Sequence, residues 1–264
     1  MNKIDVEILQ EYAIEQGKLP VGLVEKDYVL SVLLAYLSKL PEAEQMIFKG
    51  GTALRKIYFP DYRLSADLDF SVSVDNRTSL KKSIEKLQNK ELEGVKFLKL
   101  SDKTLKGTNN LSLALQYQSS VAMVGGREHI DNVKMDFNFD NKVYLKPDKK
   151  RIIAPGVYSI ADSEMYAMQL EEVVCEKIHA IYKRPKPRDL YDLWYLLGKG
   201  VKPDIHLINR KLEPLKVKFN MEEFAKHVEK LRVGWAKDML GLLPKVPVFD
   251  PIAEYVLTDM KKIR

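Results

Sequence analysis

The sequence predicts an α+β protein, a mixed sheet with helices followed by an all-helical C-terminal half. Two stretches, Asp67 to Val74 and Val133 to Asp140, alternate apolar and polar residues strictly, the two-residue period of strands buried on one face. From Ser163 onward apolar residues instead recur at three and four, through Ser163 to Arg184, Pro187 to Leu197 and shorter segments up to Lys262. The period changes near residues 155 to 163, so the expected domains are residues 1–157 and 158–264.

The elements follow in order. Between Ile4 and Leu40 apolar residues keep helical spacing and Gly17 with Pro20 interrupts it, which predicts two helices joined by a short turn. Met46 to Lys49 reads as a strand running into Gly50-Gly51-Thr52 and a helical stretch that ends near Tyr58, before Pro60. On the next strand Leu68, Phe70, Val72 and Val74 share one face, with Asp67, Asp69, Ser71 and Ser73 on the other. A charged helix, about Thr78 to Lys90, precedes strands at Val95 to Leu100, Leu111 to Gln118 and Val133 to Asp140. On the last of these Val133, Met135, Phe137 and Phe139 face away from Lys134, Asp136, Asn138 and Asp140. Strand content is expected to end near Val157, and no internal repeat or low-complexity segment is present.

Composition narrows the class. With 264 residues, 45 % hydrophobic and 30 % charged, the chain has the make-up of a globular protein large enough to build a core without disulfides. Forty-three Lys and Arg against 37 Asp and Glu leave +6, an excess that suits a polyanionic partner such as RNA or nucleotide. The single cysteine, Cys175, excludes an intrachain disulfide and a cysteine-based zinc site, and points to a reducing compartment, with cytoplasm expected. Asp5 and Glu7 interrupt what would have to be an apolar signal core. The longest nearly apolar run, Val29 to Leu37, is far short of the roughly 20 residues of a membrane span.

Two constellations carry chemistry. In the first, Gly50-Gly51-Thr52 precedes Asp67-Leu68-Asp69 by fifteen residues. Glycines at a strand-to-helix turn let backbone amides approach a phosphate, and carboxylates two apart on a strand leave the same face, where they can grip a hard cation such as Mg²⁺. Asp136 is a third acid on a polar strand face. If its strand lies beside the first, the three make a site that aligns an attacking hydroxyl with an α-phosphate and neutralises the leaving pyrophosphate. Each piece has a plainer reading: a glycine pair as a turn, outward aspartates as a solvated face.

In the second, Leu170, Val173, Val174, Ala180 and Ile181 form an apolar stripe with Lys177 in its middle. Either the lysine snorkels to water or its ammonium clamps phosphate oxygens in a cleft. Asp192 follows within Arg188-Asp189-Leu190-Tyr191-Asp192, where Asp189 suits a helix first turn and Asp192 either pairs with Arg188 or serves a site. His129, His179, His206 and His227 match no metal-ligand spacing, Cys175 reads as a small buried residue, and Trp194 and Trp235 read as core.

The runs Phe48-Lys49-Gly50-Gly51-Thr52-Ala53-Leu54 and Arg63-Leu64-Ser65-Ala66-Asp67-Leu68-Asp69-Phe70 resemble the opening motif of the AbiEii/MenT-type toxin family, a branch of the DNA polymerase β-like nucleotidyltransferases. Glu25-Lys26-Asp27-Tyr28, Glu176-Lys177-Ile178-His179-Ala180 and Arg188 to Asp192 resemble further motifs of the family in the same order, over roughly residues 20 to 200. The family opening is often Gly-Ser with a shorter spacing to the aspartates; here it is Gly-Gly-Thr with a longer loop containing Pro60.

The resemblance implies a nucleotidyltransferase-fold domain followed by a helical domain that completes the active site, with an NTP between them. It implies that Gly50, Gly51 and Thr52 hold the triphosphate, that Arg63 and Ser65 line the nucleotide pocket, and that Asp67 and Asp69 bind Mg²⁺. Lys177 would clamp phosphate and Asp192 would be a catalytic or positioning acid; Asp136 as third metal ligand comes from the strand alternation together with the wider superfamily pattern. The implied activity is that of a type IV toxin–antitoxin or abortive-infection toxin. It would transfer a nucleotide to an RNA acceptor, the tRNA 3′ end, with release of pyrophosphate, opposed by an antitoxin encoded next door that acts without a stable complex. Basic clusters at Lys146 to Arg151 and Lys183 to Arg188 would grip the acceptor stem. The alternatives are a protein or small-molecule hydroxyl as acceptor, or a non-catalytic nucleotide- or RNA-binding regulator.

Overall fold

A computed structural model describes residues 5–124, 127–140 and 142–263, without the side chains of 120–129, so His129 lies outside the described side chains. The chain forms two compact units, Met1–Val143 with Pro147–Ala167, and Tyr144–Lys146 with Met168–Arg264.

The first unit begins with α1 (Val6–Glu15), whose first turn is capped by the Asp5 carboxylate accepting from the Glu7 amide, and α2 (Val21–Leu37). Helix α2 is apolar on nearly every side and accordingly buried, with Leu30, Val32, Leu33 and Leu34 all at 0 % exposure. Strand β1 (Met46–Lys49) leads into α3 (Gly50–Ala53), a π-helical turn (Leu54–Tyr58), β2 (Asp67–Val72) and α4 (Arg77–Glu85). The remaining strands are β3 (Glu91–Leu92), β4 (Val95–Asp102), β5 (Asn110–Val124), β6 (Arg127–Asn138), β7 (Asp148–Arg151) and β8 (Glu164–Ala167).

Among the described residues the eight strands form one sheet in the order β3-β4-β5-β6-β2-β1-β8-β7. It is mixed: β2 runs parallel to β6 and β1 parallel to β8, while the other pairs are antiparallel. Phe48, Phe70 and Phe137, each fully buried, stand opposite one another on β1, β2 and β6, with ring centroids 5.2 Å and 5.0 Å apart. A one-residue slip of any of these strands would turn its phenylalanine to the other face, so this ladder specifies the register of β1 with β2 and of β2 with β6, the two strands that carry Asp67, Asp69 and Asp136.

The second unit holds α5 (Leu170–Lys183), α6 (Pro187–Gly198), α7 (Ile205–Leu212), α8 (Met221–Lys230), α9 (Trp235–Met239) and α10 (Phe249–Met260). Its core includes Val174, Ile178, Leu190, Leu193, Ile208, Phe224 and Val256. The short segment Tyr144–Lys146 belongs to it because the buried Glu172 carboxylate accepts from the amides of Tyr144 (2.9 Å) and Leu145 (2.8 Å). Lys211 neutralises that carboxylate at 2.7 Å and reaches Glu176 at 2.6 Å.

The α+β expectation holds, with three corrections. Strand content does not end near Val157, because β8 lies inside the stretch expected to be helical from Ser163, and α5 starts only at Leu170. Four residues, with Met165 and Ala167 buried, are too short to show their period against the long helical pattern that follows. Val74 lies beyond the end of β2 and is 55 % exposed. Trp235 is core, donating its indole N–H to Pro247 at 2.7 Å, whereas Trp194 is only half-buried. Among the described residues no helix is long and apolar enough to cross a membrane.

Candidate active site

Opposite the phenylalanine ladder, the alternate residues of the same strands come together. The register sets Lys49 beside Asp69 and Asp69 beside Asp136, and sets Asp67 beside Lys134. Side chains two apart on a strand share a face, so Asp67, Asp69, Asp136 and Lys134 form one polar surface. Asp136 is engaged on both oxygens: the Ser112 hydroxyl donates to Oδ1, and the Lys134 ammonium lies 2.5 Å from Oδ2. Partial burial presses the Lys134 ammonium down, but the bond to Asp136 and the charges of Asp136, Asp67 and Asp69 outweigh it and raise its pKa. The charges of all three carboxylates are therefore felt at the Lys134 ammonium.

The glycine turn backs onto this surface. Gly50 has φ +78°, and a Cβ there would stand 2.6 Å from Oδ2 of Asp69. At Gly51 a Cβ would meet the Arg63 guanidinium at 2.8 Å and the Ser65 hydroxyl at 3.3 Å. Gly50, Gly51, Arg63, Ser65 and Asp69 thus pack closely into one cradle, and at Gly50 the left-handed backbone adds to the demand for glycine. The buried Thr52 donates its hydroxyl to the carbonyl of Asp67, tying the turn to the acidic strand. Gly50→Ala is expected to cost about 1–2 kcal/mol through the left-handed backbone alone, and to displace the Asp69 carboxylate. Chemical denaturation and assay of the same protein will show activity falling further than that stability loss explains.

Behind the turn lies a network built on Asp27 of the Glu25-Lys26-Asp27-Tyr28 motif, whose partners the sequence alone does not reveal. Asp27 on α2, 1 % exposed, accepts from Lys56 Nζ at 2.6 Å, from Tyr158 Oη at 3.0 Å and from Arg55 Nε at 3.1 Å, while Arg55 also donates to the Tyr62 carbonyl. Burial works to raise the Asp27 carboxyl, but Lys56 and then Arg55 hold it below its ordinary value. Arg55 and Lys56 sit on the π-helical turn directly after α3, so Asp27 anchors the backbone that follows the glycines. The available signal was the Glu25-Lys26-Asp27-Tyr28 motif itself, a charged patch in a mostly apolar helix.

In the helical unit Lys177 does not snorkel: it is 8 % exposed, with Nζ 2.6 Å from Oδ2 of Asp192 and 3.0 Å from Oδ1 of Asp189. Asp192 is fully buried and Asp189 1 % exposed, with Arg184 Nε 3.4 Å from the second oxygen of Asp189. Both acids of the Arg188 to Asp192 motif therefore hold the lysine of α5. Cys175 is buried and its thiol pushed up to about 12 by that burial, which makes it a core residue rather than a nucleophile. Among the described residues no cluster of three or more His, Cys, Asp and Glu side chains is drawn up around a metal position. The chemistry of the acidic face nevertheless suits a hard divalent cation, since Asp67, Asp69 and Asp136 are all carboxylates on one face of two adjacent strands in register.

No curated protein matches the sequence. Among solved structures, the nucleotidyltransferase toxin MenT4 of Mycobacterium tuberculosis H37Rv is similar with a TM-score of 0.72 and 18 % identity, over 98 % of this chain and 90 % of that one. At that identity the likeness establishes the fold. The family model described as nucleotidyl transferase AbiEii toxin, type IV toxin–antitoxin system, matches residues 31–255, a span that holds the glycine turn, the acidic strands and the Lys177 cluster. The chain belongs to the AbiEii family of nucleotidyltransferase toxins of type IV toxin–antitoxin systems.

Proposed function

We propose that the protein transfers a nucleotide from an NTP to an RNA acceptor, the 3′ end of tRNA, with release of pyrophosphate. The observation that carries this reading is the acidic face of β2 and β6 backed by the Gly50-Gly51 cradle, within a chain of a nucleotidyltransferase family. The acceptor 3′ oxygen attacks the α-phosphorus, its proton leaves, and the bond to the pyrophosphate oxygen breaks.

Asp67 and Asp69, with Asp136 as third carboxylate, would hold Mg²⁺, which when bound supplies neutralisation of the charge on the reacting phosphates. Gly50 and Gly51 let the triphosphate approach the backbone, and Arg63 and Ser65, packed against Gly51, bind it. Thr52 orients the turn through Asp67. Lys177 acts as the phosphate clamp and Asp192 as its positioning residue, holding the ammonium in place. Lysines and arginines at Lys146 to Arg151 and Lys183 to Arg188, most of them exposed, grip the acceptor stem. An antitoxin encoded nearby opposes the activity without a stable complex, and the reaction takes place in the cytoplasm.

Each α-³²P-labelled NTP, incubated with Mg²⁺ and total tRNA, tests the reading. One nucleotide is expected to label RNA with the native protein and not with Lys177→Ala or Asp69→Ala. Label in a protein extract or an aminoglycoside instead of RNA would move the acceptor to a protein or small-molecule hydroxyl. No label in any pool from folded protein would leave a binding regulator.

A further inference from the structure

We propose that Lys134 is a built-in counter-cation of the acidic face, which a divalent metal must displace before Asp136 can become a ligand. The inference rests on the reading above that this face binds a divalent metal, and adds to it how access to the site is controlled.

The placement is set by the strand pairing. Lys134 stands beside Asp67 and Asp136 beside Asp69, so the ammonium emerges on the surface that carries all three acids. Its nitrogen is 2.5 Å from Oδ2 of Asp136, and the Ser112 hydroxyl, from the opposite neighbour β5, takes the other oxygen. Asp136 is thereby drawn along its own strand toward Lys134 rather than toward the aspartates of β2. This accounts for a face that has the donors for a metal without having them gathered around one point.

A lysine two residues from an acid on an exposed strand is ordinary. Here it faces two further acids on the adjacent strand, and its side chain is 49 % exposed, which gives the ammonium a path to swing into water. A metal dication and the ammonium repel when both lie within a few ångströms of the same carboxylate, so one excludes the other. Removing the ammonium leaves three acids with less compensation, which favours the metal. Lys134 then acts as a gate on metal occupancy: at low metal it keeps the acids from repelling one another, and when metal is abundant it is released to the solvent side, free for a phosphate.

The test is direct Mn²⁺ binding to the full-length protein without nucleotide, by electron paramagnetic resonance of free Mn²⁺, together with the melting temperature at each concentration. Lys134→Met, which keeps the apolar stem and removes the charge, is expected to lower the Kd for Mn²⁺ about tenfold. It is also expected to melt below the native protein without metal and to gain more than the native protein when metal is added. Lys134→Gln is a second neutral variant with the same expected direction should Lys134→Met fold poorly, and Asp67→Asn is expected to weaken binding in either background. If the native protein binds Mn²⁺ and both neutral variants bind it equally or more weakly, the gate is wrong and the metal site stands. If neither the native protein nor the neutral variants bind Mn²⁺, the metal reading fails and the gate with it.

Discussion

Asp69→Asn is expected to lower nucleotide transfer by about 10³-fold, equivalent to about 4 kcal/mol of transition-state stabilisation, with the fold intact. The substitution keeps the size and outline of the side chain and removes one charge from a surface where Asp67, Asp69 and Asp136 stand with Lys134, and where Lys49 is the strand partner of Asp69. Loss of that charge weakens cation binding, while relieved repulsion among the acids and lost attraction to Lys49 oppose one another, so the melting temperature is expected to change little. Initial rates of label transfer, with far-ultraviolet circular dichroism on the same samples, measure both. A rate within tenfold of the native protein would remove Asp69 from the catalytic set.

The second large effect concerns stability. Asp27→Ala leaves Lys56 and Arg55, 1 % and 5 % exposed, without their shared carboxylate, and removing one member of a buried pair costs about 3–5 kcal/mol. For a unit of this size that corresponds to a melting temperature lower by on the order of 10 °C. Denaturant unfolding of the native protein, Asp27→Ala and Asp27→Asn measures it, with Asn expected to lose less because it can still accept hydrogen bonds. A loss below about 1 kcal/mol for Asp27→Ala would mean that water or another carboxylate compensates the two cations.

The same network sets a pH dependence. The folded-state pKa of Asp27 lies below its ordinary value, so its contribution is present above the unfolded pKa, near 3.9, and is lost as pH falls through the folded value. The gap in stability between the native protein and Asp27→Asn is therefore expected to be full at neutral pH and to narrow below about pH 4.

Much of the candidate site was legible because its signals are local. Alternation over Asp67 to Val74 places two carboxylates on one face by the geometry of a strand alone, and a lysine in an apolar helical stripe is anomalous wherever the helix packs. The left-handed turn at Gly50 was likewise legible as a glycine pair between a strand and a helix.

The sequence by itself determined which residues are acidic, which share a face of their own strand or helix, and where the strand period yields to the helical one. Only the tertiary structure decided which strands are neighbours and in what register. Nothing in residues 67–72 or 127–138 taken separately puts Asp136 beside Asp69 or Lys134 beside Asp67, because that depends on a parallel pairing between segments far apart in the chain. The anchoring of the glycine turn by Asp27 and the capture of Lys177 by both Asp189 and Asp192 are likewise decided by packing. A buried charge must find its counter-charge in space, and sequence spacing specifies that partner only when both lie on the same element.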